Sequence, residues 1–314
     1  MDNEKLISEI NKLRKQKNAI IMSHYYQVPQ LQDIADFVGD SLALAQQAAK
    51  TNADIIVICG VHFMGETAKI ICPDKKVLIP DMNAGCSLAD SCDYNDLKKY
   101  KEQHPNHIIV SYVNTSAAVK SLTDVVVTSS NALKIVEQLP KDKPILFGPD
   151  KNLGGYINSI TGRNMDLWNG GCHVHQQFSV EKLIELKKQY PDALVLAHPE
   201  CKSVLLKLAD HIGSTQALLQ FAVKSDKKQF IVATESGILH KMQQACPDKL
   251  FIALPPEISE DGKACACNEC NFMRLNTLEK LYNCLKDETN EIIVDENIAK
   301  AAIKPIEKML EMSK

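Results

Sequence analysis

The 314-residue chain has no marked excess of charge: 36 Lys and Arg stand against 39 Asp and Glu, a formal net charge of −3. That balance gives no general electrostatic reason to bind nucleic acid or an anionic membrane, although local positive charge can still hold an anionic substrate. Nor does any uninterrupted apolar run approach the roughly 20 residues of a membrane helix. Met1 to Gln16 is charged, with Leu6, Ile7, Ile10 and Leu13 at helical spacing, and lacks the apolar core of a signal peptide. The expectation is a cytoplasmic protein without nucleic-acid or membrane partners. Tryptophan is confined to Trp168.

Apolar residues at 45% and charged residues at 24% are ordinary globular composition, not that of a disordered chain. The length exceeds what one core usually spans, so two or three domains are expected. A triple repeat supplies them. Ser23 to Leu44, Ser111 to Leu133 and Ala197 to Leu218 read as one pattern; aligning Ser41, Ser130 and Thr215 gives spacings of 89 and 85 residues. Such periods are far longer than the roughly 20–50 residues of solenoid repeats, so each copy reads as a small domain.

Unit one runs through strands Ala19 to Met22, Ile55 to Cys59 and Lys76 to Pro80, with helices Leu31 to Val38, Ser41 to Lys50 and Glu66 to Ile71. Unit two spans Ile108 to Gly148, with helices Ala117 to Leu122 and Asn131 to Gln138; unit three spans Leu194 to Leu254 after a helix from Val180 to Tyr190. Short Val/Ile-rich strands alternating with helices predict parallel α/β sheets covered on both faces. The expected fold is three similar three-layer αβα domains over residues 1–83, 84–170 and 171–255. Segment 256–314, ending in a helix from Glu296 to Met312, is expected to pack back on the first. Ligands in such folds bind beyond the carboxyl ends of the strands, so three domains around an axis would bring equivalent loops to one central site.

Eleven cysteines are more than packing needs, and in a reducing compartment clustered thiols point to metal or redox chemistry. Cys59, Cys72, Cys246 and Cys284 fall in strand, helix or helix-end contexts and read as core residues. Three sites remain: Cys86 after Gly85, Cys172 in Trp168 to His175, and Cys265-Ala266-Cys267-Asn268-Glu269-Cys270. Gaps of 86 residues from Cys86 to Cys172 and 98 from Cys172 to Cys270 approach the domain period. One thiolate from each unit can therefore meet at one metal centre. Spacing alone leaves zinc and an iron–sulfur cluster equally open, with Cys92 or His175 as further zinc ligands.

Two polar sets accompany the thiols. In extended chain, residues i and i+2 share a face, so the units present His24/Tyr26, Tyr112/Asn114 and His198/Glu200. A His/Glu pair suits proton transfer near neutral pH. Gly39-Asp40-Ser41, Thr128-Ser129-Ser130 and Gly213-Ser214-Thr215 each open a helix. Singly they are N-caps; together their N–H and hydroxyl groups suit a polyanionic substrate. Arg163 and Lys202 are candidate counter-charges, each with a simpler reading as a solvated surface residue. The turn Glu235 to His240 sits at a strand end, where ordinary capping explains it as well as an approach to the site does.

Taken in order, these motifs resemble the quinolinate synthase family over nearly the whole chain: Ser23 to Gln27, Gly39 to Leu42, Asn83 to Ala89, Ser111 to Thr115, Thr128 to Ala132, Trp168 to His175, His198 to Cys201 and Cys270 to Met273. The resemblance implies three α/β domains about a pseudo-threefold axis and a 4Fe–4S cluster on Cys86, Cys172 and Cys270, with one iron left open. It implies condensation of iminoaspartate, supplied by an aspartate oxidase or dehydrogenase, with dihydroxyacetone phosphate to give quinolinate in NAD biosynthesis, releasing phosphate and two waters. Glu200, His198 and Tyr26 would be catalytic. His24, Ser41, Tyr112, Asn114, Ser129, His175, Ser214 and Thr215 would bind substrate. The chain reads Cys-x-Cys at Cys265 and Cys267, where some relatives have Cys-x2-Cys, which leaves the task of those two thiols open. The competing readings are an iron–sulfur hydro-lyase on a small hydroxy acid and a non-catalytic iron–sulfur or zinc sensor.

Overall fold

A computed structural model describes residues 2–257 and 268–314. The chain forms three four-stranded, all-parallel sheets. The first holds β1 (Ala19–His24), β2 (Phe37–Gly39), β3 (Ile55–Cys59) and β4 (Lys76–Leu78). The second holds β5 (Ile108–Tyr112), β6 (Val125–Val127), β7 (Ile145–Gly148) and β8 (Asp166–Leu167). The third holds β9 (Leu194–Ala197), β10 (His211–Ile212), β11 (Gln229–Ala233) and β12 (Leu250–Ala253). Each sheet has the same order, second strand, first, third, fourth: β2-β1-β3-β4, β6-β5-β7-β8 and β10-β9-β11-β12.

The central strands are apolar because both faces are covered. In β3 all five residues are buried; Val57 and Cys59 pack toward Leu6, Ile10 and Leu281, while Ile56 and Ile58 pack toward Leu44 and Ala68. β11 divides likewise, with Ile231 and Ala233 in one cluster and Phe230 and Val232 in another. The core runs on from unit one into unit two, and helix Glu296–Met312 seals it with Ala302, Ile306 and Met309. That helix lies on helix Ala117–Ser121 and β6 of the second unit and on helix His62–Ile71 of the first, whereas helix Leu278–Asp287 lies on helix Asn3–Gln16. The closing segment thus serves two units.

One device recurs in all three copies. Asp36, Asp124 and Asp210 lie fifteen residues beyond Ile21, Ile109 and Val195, and each carboxylate accepts that residue's N–H at 2.8, 2.8 and 2.7 Å. Each aspartate's own N–H returns to the same residue's carbonyl at 2.8–2.9 Å. This double tie starts the second strand of each sheet beside the first. It also corrects the expected helix Leu31 to Val38: the helix is Pro29–Ile34, and the chain turns at Asp36 into β2. The short strands β2, β8 and β10 have two or three residues each, too few to show a period of two.

The register also moves the repeat alignment by one residue. His24 pairs with Gly39 and Tyr112 with Val127, which makes Ser129 rather than Ser130 the counterpart of Ser41 and Thr215. Ser130 turns away and donates to Asp40 at 2.6 Å. Replacing Asp124 by Ala should lower the unfolding free energy by about 1–3 kcal/mol, the cost of a strand N–H left without its charged acceptor. Urea denaturation checks this, with Glu102→Ala on the exposed face of helix Tyr94–Gln103 as the neutral control.

Candidate functional site

Register places four equivalent positions of each unit at the carboxyl edge of its sheet. Beyond the first strands come His24/Tyr26, Tyr112/Asn114 and His198/Glu200. Beyond the second strands come Ser41, Ser129 and Thr215; beyond the third, Val61, Asp150 and Glu235; beyond the fourth, Cys86, Cys172 and Cys270. All of these except Asp150 line one cavity, which encloses about 700 Å³ of atom-free space, its mouth included.

The three cysteine loops meet. Ser87, next to Cys86, hydrogen-bonds His173, next to Cys172, at 2.7 Å. The His173 ring stands edge-on to Phe272, two residues past Cys270, at 6.1 Å between centroids. Nearby main-chain N–H groups, of Leu88 and Ala89 for Cys86, His175 for Cys172, and Phe272 and Met273 for Cys270, act to lower each thiol's pKa, and His175 Nδ1 lies 3.2 Å from Cys172 Sγ. These donors stabilise thiolates, but burial outweighs them. Desolvation pushes Cys86 up to about 12, Cys172 well above its ordinary value, and Cys270 upward. Neighbouring thiols add to the shift, as Cys270 does for Cys86 and both do for Cys172. Three soft donors from separate loops, lining one cavity and kept protonated by burial, fit a metal that would replace the protons. Among the described residues, the ligand atoms close enough for a single ion are those of Cys172, His175 and Glu200, within 4.8 Å of one another.

Glu200 is the electrostatic centre. It is 2% exposed, with Oε2 at 2.8 Å from His175 Nδ1 and 3.6 Å from His198 Nδ1. Burial opposes its ionisation, but the two imidazoles reverse that and hold the carboxyl below its usual range. Its Oε1 has no hydrogen-bond partner, and neither has the buried Oδ1 of Asn114. Gln27, Gln32, Asn268 and Asn276 also have such oxygens, but away from the cavity; those of Glu200 and Asn114 belong to lining residues, where a ligand can satisfy them. Burial lowers both His198 and His24 to about 3, so both imidazoles are neutral. His198 Nε2 lies 3.2 Å from Ser129 Oγ. Tyr26 OH lies 2.8 Å from Thr215 Oγ1 and 2.7 Å from Thr234 Oγ1. Burial and the nearby Glu200 charge raise Tyr26 and Tyr112 well above 10, so both keep their protons.

Of the residues expected from sequence, Ser214 does not reach the cavity. It caps helix Thr215–Lys224 by accepting the Ala217 N–H at 3.3 Å. Arg163 bonds the carbonyl of Pro140 and Lys202 pairs with Glu257 at 3.1 Å, so neither supplies counter-charge to the site. Among the described residues no Lys or Arg lines the cavity. Cys265 and Cys267 lie outside the described residues, as does all but Asn268 of the segment Asp261 to Asn268, which its polar and small residues make one candidate for movement. Thr234 was missed: it bridges Tyr26 and His175 at 2.7 and 2.9 Å, and an isolated strand-end threonine gives no local signal. Glu235 goes beyond capping: it lines the cavity, pairs with Arg274 at 2.8 Å, and is pushed up to about 8 by burial that the arginine only partly offsets.

These features define an α/β protein with a cysteine-rich, metal-competent cavity where three parallel sheets meet. A family model described as quinolinate synthetase A protein matches residues 8–311. The quinolinate synthase of Chloroherpeton thalassium is 58% identical over 309 residues, covering 98% of this chain and 95% of its own length. Those of Microcystis aeruginosa and Trichormus variabilis are 55% and 56% identical over 308 residues, 98% of this chain and 95% and 94% of their lengths. The chain belongs to the quinolinate synthase family. No helix among the described residues is long and apolar enough to cross a membrane.

The neutral imidazoles have a measurable consequence. An unfolded chain protonates its histidines near 6.5, whereas His24 and His198 resist to about 3. As pH falls below 6.5 the unfolded state therefore takes up protons that these sites refuse, and they disfavour the fold. Ring resonances of His24 and His198 should not shift between pH 8 and 5 in an NMR titration; a midpoint near 6 for either contradicts the assignment.

Proposed function

We propose that the chain condenses iminoaspartate with dihydroxyacetone phosphate to quinolinate, releasing phosphate and two waters, with a 4Fe–4S cluster on Cys86, Cys172 and Cys270. The observation that carries the reading is the contact chain Ser87–His173–Phe272, which draws the three cysteine loops to one wall of the cavity. Three thiolates leave one iron of four without a protein ligand, and a cluster so bound supplies a Lewis-acidic position for a substrate hydroxyl or carboxylate.

The chain's own groups divide the remaining work. Glu200, ionised and with Oε1 unpartnered, accepts and returns protons as the two substrates join and water leaves. His198, neutral and tied to Ser129, and His175 fix the orientation of that carboxylate. Tyr26, kept as a phenol between Thr215 and Thr234, supports proton delivery from the opposite side of the His175 network. Tyr112, Asn114, His24, Ser41, Ser129 and Thr215 present neutral donors to the carboxylates and phosphate. With no lysine or arginine among the described lining residues, substrate charge is met by these donors and the metal centre. The activity is that of a cytoplasmic transferase of NAD biosynthesis, supplied with iminoaspartate by an aspartate oxidase or dehydrogenase.

A second reading has one observation behind it: the closeness of Cys172, His175 and Glu200 suits a single zinc ion. The 2.8 Å contact between His175 Nδ1 and Glu200 Oε2 accounts for that closeness without a metal. Anaerobic reconstitution followed by turnover with both substrates tests the main reading, with quinolinate as the product detected. Glu200→Gln should lose about 10²–10⁴-fold in kcat while keeping its iron; full turnover in that variant removes Glu200 from the chemistry. Zinc bound in place of iron, with no quinolinate formed, would favour the second reading.

A further inference from the structure

The chemistry above leaves two buried carboxylates without a task. Asp150 and Glu235 occupy the same place in successive units, two residues past the strand positions Gly148 and Ala233 that pair with Ser111 and Ala197. Asp150, fully buried, accepts the N–H of Leu153 through Oδ1 at 2.7 Å and the N–H of Cys172 through Oδ2 at 3.2 Å. Glu235, 1% exposed, accepts the N–H of Gly237 through Oε2 at 2.7 Å. Its Oε1 takes the N–H of Cys270 at 3.1 Å and Arg274 Nη2 at 2.8 Å. In each case one oxygen secures the carboxylate's own loop, and the other reaches across to the main chain of a cysteine that follows the fourth strand.

We propose that Asp150 and Glu235 are positioning residues that fix Cys172 and Cys270 by gripping their main-chain N–H groups, so that two metal-binding thiols are aimed before any metal arrives. The inference rests on the reading of those cysteines as ligands. Helix capping explains Oδ1 of Asp150, at the start of helix Lys151–Thr161, but leaves Oδ2 unexplained. In both residues each of the two oxygens accepts a main-chain N–H, which an amide, with one acceptor oxygen and two donor hydrogens, cannot reproduce. Close approach is built in on both sides. A Cβ at Gly170, in the Cys172 loop, would lie 2.5 Å from the Pro149 carbonyl oxygen, and one at Gly237 would lie 2.8 Å from Tyr26 Cα. Unit one follows another rule. Val61 stands at the equivalent position, and among the described residues no carboxylate accepts the Cys86 N–H; the next residue, His62, instead donates its N–H to the Ala84 carbonyl at 2.7 Å.

Two measurements on the full chain test this. In metal-free protein labelled with 15N-cysteine, Asp150→Asn should speed amide exchange at Cys172 at least tenfold and leave Cys270 unchanged, and Glu235→Gln should do the reverse. In anaerobically reconstituted protein, each variant should lose iron to a chelator roughly tenfold to hundredfold faster than the parent chain. General loosening of the fold would speed exchange at both cysteines together. That outcome, or unaltered exchange and iron loss in both variants, overturns the proposal. Circular dichroism identifies a variant that fails to fold, and the other then decides alone. If Cys172→Ser and Cys270→Ser bind iron as the parent does, the ligand reading fails instead, while the exchange experiment still reports on the two carboxylates.

Discussion

Burying ionisable groups without a protein cation beside them is the constraint on which this structure depends. Three thiols and Glu200 line the central cavity, Asp150 lies just behind it, and among the described residues no lysine or arginine reaches the lining. Desolvation of a lone charge costs several kcal/mol even after relaxation, and each group answers differently. The cysteines keep their protons, Glu200 leans on His175 and His198, and Glu235 takes Arg274 from behind the cavity wall. Among the described residues, what the cavity lining lacks is a lysine or arginine.

The scaffold repeats and the site does not. The same strand order, the same aspartate tie to the first strand and the same four edge positions recur three times. Onto equivalent places the sequence puts different chemistry: Tyr26, Asn114 and Glu200 at one, Val61, Asp150 and Glu235 at another. Among the described residues, only one unit carries a carboxylate at the first of these places, Glu200, and only two carry a carboxylate that accepts the N–H of the cysteine beyond the fourth strand. A fold repeated three times brings one cysteine per unit to the cavity, while the reaction proposed for it has two unlike substrates and needs unlike walls. Divergence at fixed edge positions supplies both.

Much of this was legible in the chain because it rests on long-period repetition and on runs of apolar residues. The central strands β1, β3, β5, β7, β9 and β11 and the helix Glu296–Met312 announce themselves by burial pattern. Edge strands of two or three residues do not, since pairing with a neighbour, rather than local preference, makes them strands. The one-residue slip between Ser129 and Ser130 has the same origin: in Thr128-Ser129-Ser130 composition cannot choose, and register does. Ser214 looked like a ligand because a capping serine and a binding serine are the same residue until the helix axis is known. Thr234 and Asp150 stayed hidden because their significance lies in partners 59 and 22 residues away.

One thiol from each unit is proposed to serve a single cluster with one iron left free. Mössbauer spectroscopy of protein reconstituted anaerobically with 57Fe, with and without substrate, reads this directly. The account predicts four irons and four sulfides per chain, with one iron site changing its isomer shift when dihydroxyacetone phosphate is added. A single metal ion per chain, or four iron sites indifferent to substrate, would contradict it.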